Sequence, residues 1–154
     1  MKLNFKKVIS WILVLLWMAV IFGFSRQSGI ESGGLSAKVV QIILSIFNMN
    51  VDNTTFGVLE HIIRKLAHAT EYAMLAILVF NALHNITKNI KKVATISFLI
   101  AALYSLIDES HQLFVQGRVG SIKDCFIDST GALLGVIFCL VVLRLLSKNK
   151  NYTI

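Results

Sequence analysis

The stretch VISWILVLLWMAVIFGF, Val8 to Phe24, is interrupted only by Ser10 and follows Lys2, Lys6 and Lys7. A bilayer core asks for about 20 apolar residues in helical form. This run exceeds the roughly 7–15 residues of a signal-peptide core, although Gly23 and Ser25 loosely fit small residues before a cleavage point. It reads as a first membrane span. Three further runs of the same character follow, from about Leu66 to Leu83, Val93 to Val115 and Ile127 to Leu146. In the last, Gly131 and Gly135 stand at i and i+4, the spacing that lets helices approach closely in a membrane.

Composition agrees. The 154 residues are 56% hydrophobic and 15% charged, against about a quarter charged in soluble domains. The fold class is therefore all-α, a polytopic membrane protein with four transmembrane helices, in a single domain over residues 1–154. The formal charge of +7 invites a nucleic-acid reading. However, the Lys and Arg residues sit in short groups at the ends of apolar runs, as in membrane proteins, and form no dense patch with interleaved aromatics. No nucleic-acid partner is expected. Cys125 and Cys139 have no CxxC partner and suggest neither a zinc site nor a disulfide framework. No proline, repeat or low-complexity tract is present, and Asn53-Thr54-Thr55 matches a glycosylation sequon short enough to arise by chance.

Basic residues set the orientation. With the N-terminus cytoplasmic, the inner flanks carry Lys2, Lys6, Lys7, Lys88, Lys91, Lys92, Arg144, Lys148 and Lys150, nine of the fifteen positive residues. The outer segments carry Arg26, Lys38, Arg64, Lys65, Arg118 and Lys123. The positive-inside rule favours this arrangement, with both termini cytoplasmic. Between the first two spans, Ser28 and Glu31 resemble a capping box. Leu35, Val39, Ile42, Ile43 and Ile46 then recur at helical spacing up to Phe47. This segment is an amphipathic helix in the first outer loop, on the membrane surface or against the bundle, or else an ordinary connecting helix.

Ionisable groups inside a span cost on the order of 2.5–3.5 kcal/mol each, so they face one another, a cavity or the interface. Here they gather at one side. Ser25 and Gln27 end span one. Arg64, Lys65, His68, Glu71 and Tyr72 begin span two. Asp108, Glu109, His111 and Gln112 end span three. Arg118 and Asp124 lie in the third loop, and Asp128 begins span four. Arg64, His68, Glu71 and Tyr72 share one helical face, as do Tyr104, Asp108, His111 and Gln112, and as do Asp124, Asp128, Gly131 and Gly135. Three polar stripes can line one outward pocket, or form a structural network of Arg–carboxylate pairs. His68 with Glu71, and Asp108 with His111, stand at i, i+3, but no HExxH motif or ligand quartet appears, so no metal is assigned. His61 and His84 look incidental.

The chain resembles the VanZ-like family of bacterial membrane proteins. The resemblance rests on Phe24-Ser25-Arg26-Gln27, on Arg64 through Tyr72 (RKLAHATEY), on Asp108 through Phe114 (DESHQLF), and on Arg118 followed by Asp124, Asp128, Gly131 and Gly135. It covers about residues 8–146. The family often has Asn where Asp128 stands, which casts doubt on any role that needs an amide donor there. The resemblance implies a four-span protein of the bacterial plasma membrane. It also suggests lowered susceptibility to the glycopeptide teicoplanin, the trait of the protein that gave the family its name.

Three functions follow as expectations. The first is a cell-envelope pocket in which Arg64, Lys65 and Arg118 bind phosphate or carboxylate, oriented by Glu71, Asp108 and His111. Its ligand would be a lipid head group, a wall precursor or a lipophilic glycopeptide. The second is a membrane enzyme, with His68, Glu71, Asp108 and His111 as candidate acid–base groups on a lipid-linked substrate. The third is an accessory or transport subunit, for which four spans without a repeat are few. Cofactor and oligomeric state stay open.

Overall fold

The computed structural model describes residues 5–118 and 120–150. Lys2, counted among the basic flanks, lies outside them, as does the side chain of Lys150. Five helices follow in order: α1 (Phe5–Ser25), α2 (Gly29–Ile46), α3 (Asn53–His84), α4 (Ile90–Gln112) and α5 (Ile122–Lys150). Among the described residues there is no strand, and α1, α3, α4 and α5 are each long and apolar enough to cross a membrane.

The central helix is α3, which packs against each of the other four, most extensively against α5. The α3–α5 seam depends on the two glycines. A Cβ at Gly131 would lie 2.0 Å from the Ala69 carbonyl oxygen, and one at Gly135 would lie 2.4 Å from that of Ala73. Any side chain there drives the backbones apart. Around the seam, Tyr72, Leu75, Ala76 and Val79 meet Val14 and Ile21 of α1, Val93 and Ala101 of α4, and Ala132 and Val136 of α5. The outer surface is equally apolar: Leu15, Leu103, Phe126 and Leu145 are 58–70% exposed. Water would not tolerate that surface, whereas lipid does.

The helix after the first span is capped as its sequence suggests. The Ser28 hydroxyl accepts from the Glu31 amide, and a Glu31 carboxylate oxygen accepts from the Ser28 amide at 2.9 Å. The helix buries Ser32, Ser36 and Val40 and leaves Leu35, Val39, Ile42, Ile43 and Ile46 exposed. It meets α3 through small residues and turns its apolar side outward, as a lipid-contacting helix does and an ordinary connector does not.

Three boundaries differ from expectation. The third helix begins at Asn53 rather than near Leu66, so Arg64, Lys65, His68, Glu71 and Tyr72 sit mid-helix, not in its first turns. Phe56, Leu59 and Ile63 keep the helical repeat running, and nothing before Lys65 interrupts it. Its 32 residues extend about 48 Å at 1.5 Å per residue, beyond a hydrocarbon core of about 30 Å. α4 stops at Gln112, short of Val115, where the chain turns through Gly117 at φ 73°. Asp124 lies in the first turn of α5 rather than in the loop.

Candidate functional site

The three polar stripes converge at one end of the bundle. Lys65 of α3 forms an ion pair with Asp124 of α5. Arg64 pairs with Glu60, one turn earlier in α3, at 2.7 Å. His68 Nδ1 stands 3.9 Å from Glu71 Oε2, too far for a hydrogen bond. Trp17 donates its indole N–H to the Glu71 carbonyl at 2.9 Å, and Tyr104 donates to the Met18 carbonyl at 2.8 Å, so both tie α1 to the site.

Arg118 closes the top. Its Nε donates to the Gln27 carbonyl at 3.2 Å, and its terminal nitrogens reach the Phe24 carbonyl and Gln112 Oε1, each at 3.4 Å. All three acceptors are neutral, and among the described residues no Asp or Glu forms a salt bridge with Arg118. Burial lowers its pKa, and the neighbouring Arg64 guanidinium lowers it further, against the opposing pull of Asp108, Glu109 and Glu71. The two like charges face a common space.

That space is a pair of cavities. One, of about 200 Å³, is lined by Phe24, Gln27, Ser32, Leu35, Ser36, Arg64, Ala67, His68, Glu71 and Arg118. The other, of about 230 Å³, is lined by His61, Arg64, Lys65, His68, Gln112, Gly117, Arg118 and Asp124. Arg64, His68 and Arg118 are common to both.

The remaining expected residues lie behind or beside these cavities. Ser25 is buried, its hydroxyl 3.4 Å from His111 Nδ1, and the His111 ring packs on Phe22 at 4.9 Å. His111 therefore faces α1 and lines neither cavity. Tyr72 is fully buried, and its hydroxyl has no hydrogen-bond partner. Asp108, Glu109 and Asp128 are also buried. Asp108 accepts from Gln112 at 3.1 Å, Glu109 from the Ser121 amide at 2.8 Å and Asp128 from the Ser105 hydroxyl at 2.8 Å. In each carboxylate the second oxygen is buried without a partner. His68, Glu109 and Asp128 bring one ligand atom apiece within 4.8 Å of one another. This set joins neither of the i, i+3 pairs seen in the sequence.

Sequence reasoning missed Ser105, Ser121, Trp17 and Glu60, which orient the site, and Ser32 and Ser36 of α2, which wall it. Ser105 falls three residues before Asp108, on the same stripe, and was legible there. Ser32 and Ser36 carried no signal until the packing of α2 was known.

A family profile described as VanZ/LLP1 matches residues 10–144, most of the chain. No curated protein and no solved structure matches it.

Proposed function

The chain belongs to the VanZ/LLP1 family, and from that premise we propose that it is a cell-envelope membrane protein whose polar end binds the anionic head group of a lipid or lipid-linked wall precursor. One observation carries the reading. Arg118 has no acidic partner among the described residues, and it lines the same two cavities as Arg64. A phosphate between two guanidiniums relieves their repulsion and offers both of them charge-assisted, bidentate bonds. The cavities, at about 200 and 230 Å³, are below the roughly 300–1,000 Å³ of sites that engulf drug-sized ligands. They suit a head group better than a whole glycopeptide. The apolar side of α2 beside them would lie against the acyl chains. The distribution of basic residues supports a reading with this end outside the plasma membrane and both termini in the cytoplasm. Sequestering or altering an exposed precursor there would lower susceptibility to teicoplanin.

A catalytic reading on the same ligand is favoured by His68 and Glu71, which stand 3.9 Å apart in the wall of the first cavity. Acid–base work needs a group that gains and loses a proton, so amide replacement separates the two readings.

The test is to express wild type, Arg118→Gln and Glu71→Gln at equal membrane levels in a teicoplanin-susceptible Gram-positive host and compare susceptibility to teicoplanin and vancomycin. Protection by wild type, lost in Arg118→Gln, supports the anion pocket. Loss in Glu71→Gln alone points to proton transfer. Equal protection by all three overturns the site assignment.

A further inference from the structure

We infer that this end of the bundle also holds one divalent transition-metal ion, bound by His68 of α3, Glu109 of α4 and Asp128 of α5. The inference is independent of the head-group reading.

Three facts converge on it. First, one imidazole nitrogen and two carboxylate oxygens from three different helices lie within 4.8 Å of one another, close enough that small side-chain shifts would bring all three to about 2.0–2.2 Å from a shared ion. Second, the two carboxylates are held alike. The Ser121 amide fixes one oxygen of Glu109, and the Ser105 hydroxyl fixes one oxygen of Asp128. The other oxygen of each is buried with no partner. Hydrogen bonds that anchor one ligand oxygen and leave the second free are how proteins orient metal-binding carboxylates.

Third, neither carboxylate has a direct ionic partner. Asp128 is 0% exposed and Glu109 4%, and among the described residues neither forms a salt bridge. Lys65 and Arg64, the cations nearest in sequence to His68, are engaged by Asp124 and Glu60, and Arg118 attracts Glu109 without forming a salt bridge to it. Buried carboxylates are ordinarily paired or coordinate a metal. A divalent ion would give both free oxygens that direct partner.

The donor set selects the ion. A nitrogen with two carboxylate oxygens suits Zn²⁺ or Mn²⁺, whereas Mg²⁺ and Ca²⁺ prefer all-oxygen shells. His68 also lines both cavities, so the bound ion would strengthen the attraction of Arg64 and Arg118 for an anion.

The experiment uses the full chain in detergent, stripped with chelator and titrated calorimetrically with Zn²⁺, Mn²⁺ and Mg²⁺. Wild type is expected to bind one equivalent of Zn²⁺ or Mn²⁺ at least tenfold more tightly than Mg²⁺. Asp128→Asn and Glu109→Gln should weaken Zn²⁺ by at least about 100-fold. Ser105→Ala, which only positions Asp128, should weaken it by about tenfold. His84→Ala, at the opposite end, should not change it. Zn²⁺ X-ray absorption on wild type alone covers the case in which the variants fail to fold; it should show one imidazole and oxygen neighbours without sulfur. Less than one equivalent in wild type, undiminished binding in folded Asp128→Asn, or a sulfur neighbour from Cys125 would each overturn the inference.

Discussion

At the Lys88 end of the bundle, the Ser10 hydroxyl donates to the Lys6 carbonyl at 2.8 Å and accepts from Asn85 at 2.9 Å, while Ser97 donates to the Val93 carbonyl at 2.7 Å. These buried hydroxyls are satisfied by the backbone of their own helices, and the hydrophobic core closes around them. Among the described residues, Arg64, His68, Tyr72, Asp108, Glu109 and Asp128 at the Ser25 end each keep a buried polar atom without a partner, against His84 alone at the Lys88 end. The same helices build both ends, so helix packing alone does not force such a cost. In a low-dielectric setting an unmet polar group costs on the order of 1–3 kcal/mol. Its concentration at one end marks where charge is kept for a task rather than for stability.

The largest expected effect tests whether the two ends share one scaffold. Gly131→Val places its Cβ on the Ala69 backbone and separates α3 from α5 beneath the site. Destabilisation of about 3 kcal/mol or more is expected, seen as loss of monodisperse protein in detergent. Gly23→Ala enters open space in α1 and should be neutral or stabilising by about 0.5–1 kcal/mol. Equal tolerance of both substitutions would mean that the seam does not hold the bundle.

Arg118→Gln sharpens the comparison at the polar end alone. Its three hydrogen bonds go to neutral acceptors, so the thermal midpoint should move by little, while affinity for an anionic head group falls by roughly tenfold or more. Trp17, bonded to the Glu71 carbonyl, is a fluorescence reporter for titration with phosphatidylglycerol against phosphatidylcholine. Unchanged affinity would remove Arg118 from the pocket.

These contrasts also show what a sequence can carry. The spans were legible because a bilayer imposes a length and an apolar composition on every crossing. Gly131 and Gly135 were legible because close approach admits no side chain. That Arg64, His68, Asp108 and Asp124 belong to one end followed from topology and helical period. Which of them touch did not follow, since the arrangement of helices around α3 is set by packing. His111 shares the stripe of Asp108 yet turns to Ser25 and Phe22 of α1. Glu109, off that stripe, meets His68 and Asp128 instead. The early start of α3 was hidden because Asn53 to Lys65 is too polar to read as span, although its helical repeat is unbroken.

Two serines put the comparison to a direct test. Ser105→Ala removes the hydroxyl that donates to Asp128 and leaves a buried carboxylate with no hydrogen bond, at a cost of roughly 1–3 kcal/mol. Ser97→Ala removes a hydroxyl bonded only to the carbonyl four residues earlier. Such back-bonding adds little to a helix, so a change within about 0.5 kcal/mol is expected. Thermal unfolding of the two variants in the same detergent reads the difference directly. Similar losses would erase the distinction between the ends.

The smallest effect lies outside both ends, at the start of α2, whose Ser32 and Ser36 wall the first cavity. The Ser28 amide, then the Ser28 hydroxyl, hold the Glu31 pKa below its usual 4.5. A carboxyl with a depressed folded-state pKa contributes its stability in full above the unfolded value, and that contribution is lost as pH falls through the lower folded value. The α2 amides should therefore keep constant hydrogen-exchange protection from neutral pH down to about pH 5 and lose a small part of it at more acid pH, while α3 and α5 amides do not respond. Glu31→Gln should abolish the acid response of α2 by removing the titrating group, whereas Ser28→Ala, which keeps the Ser28 amide, should only reduce it. If the response persists in Glu31→Gln, some group other than Glu31 governs how firmly α2 sits against the cavity.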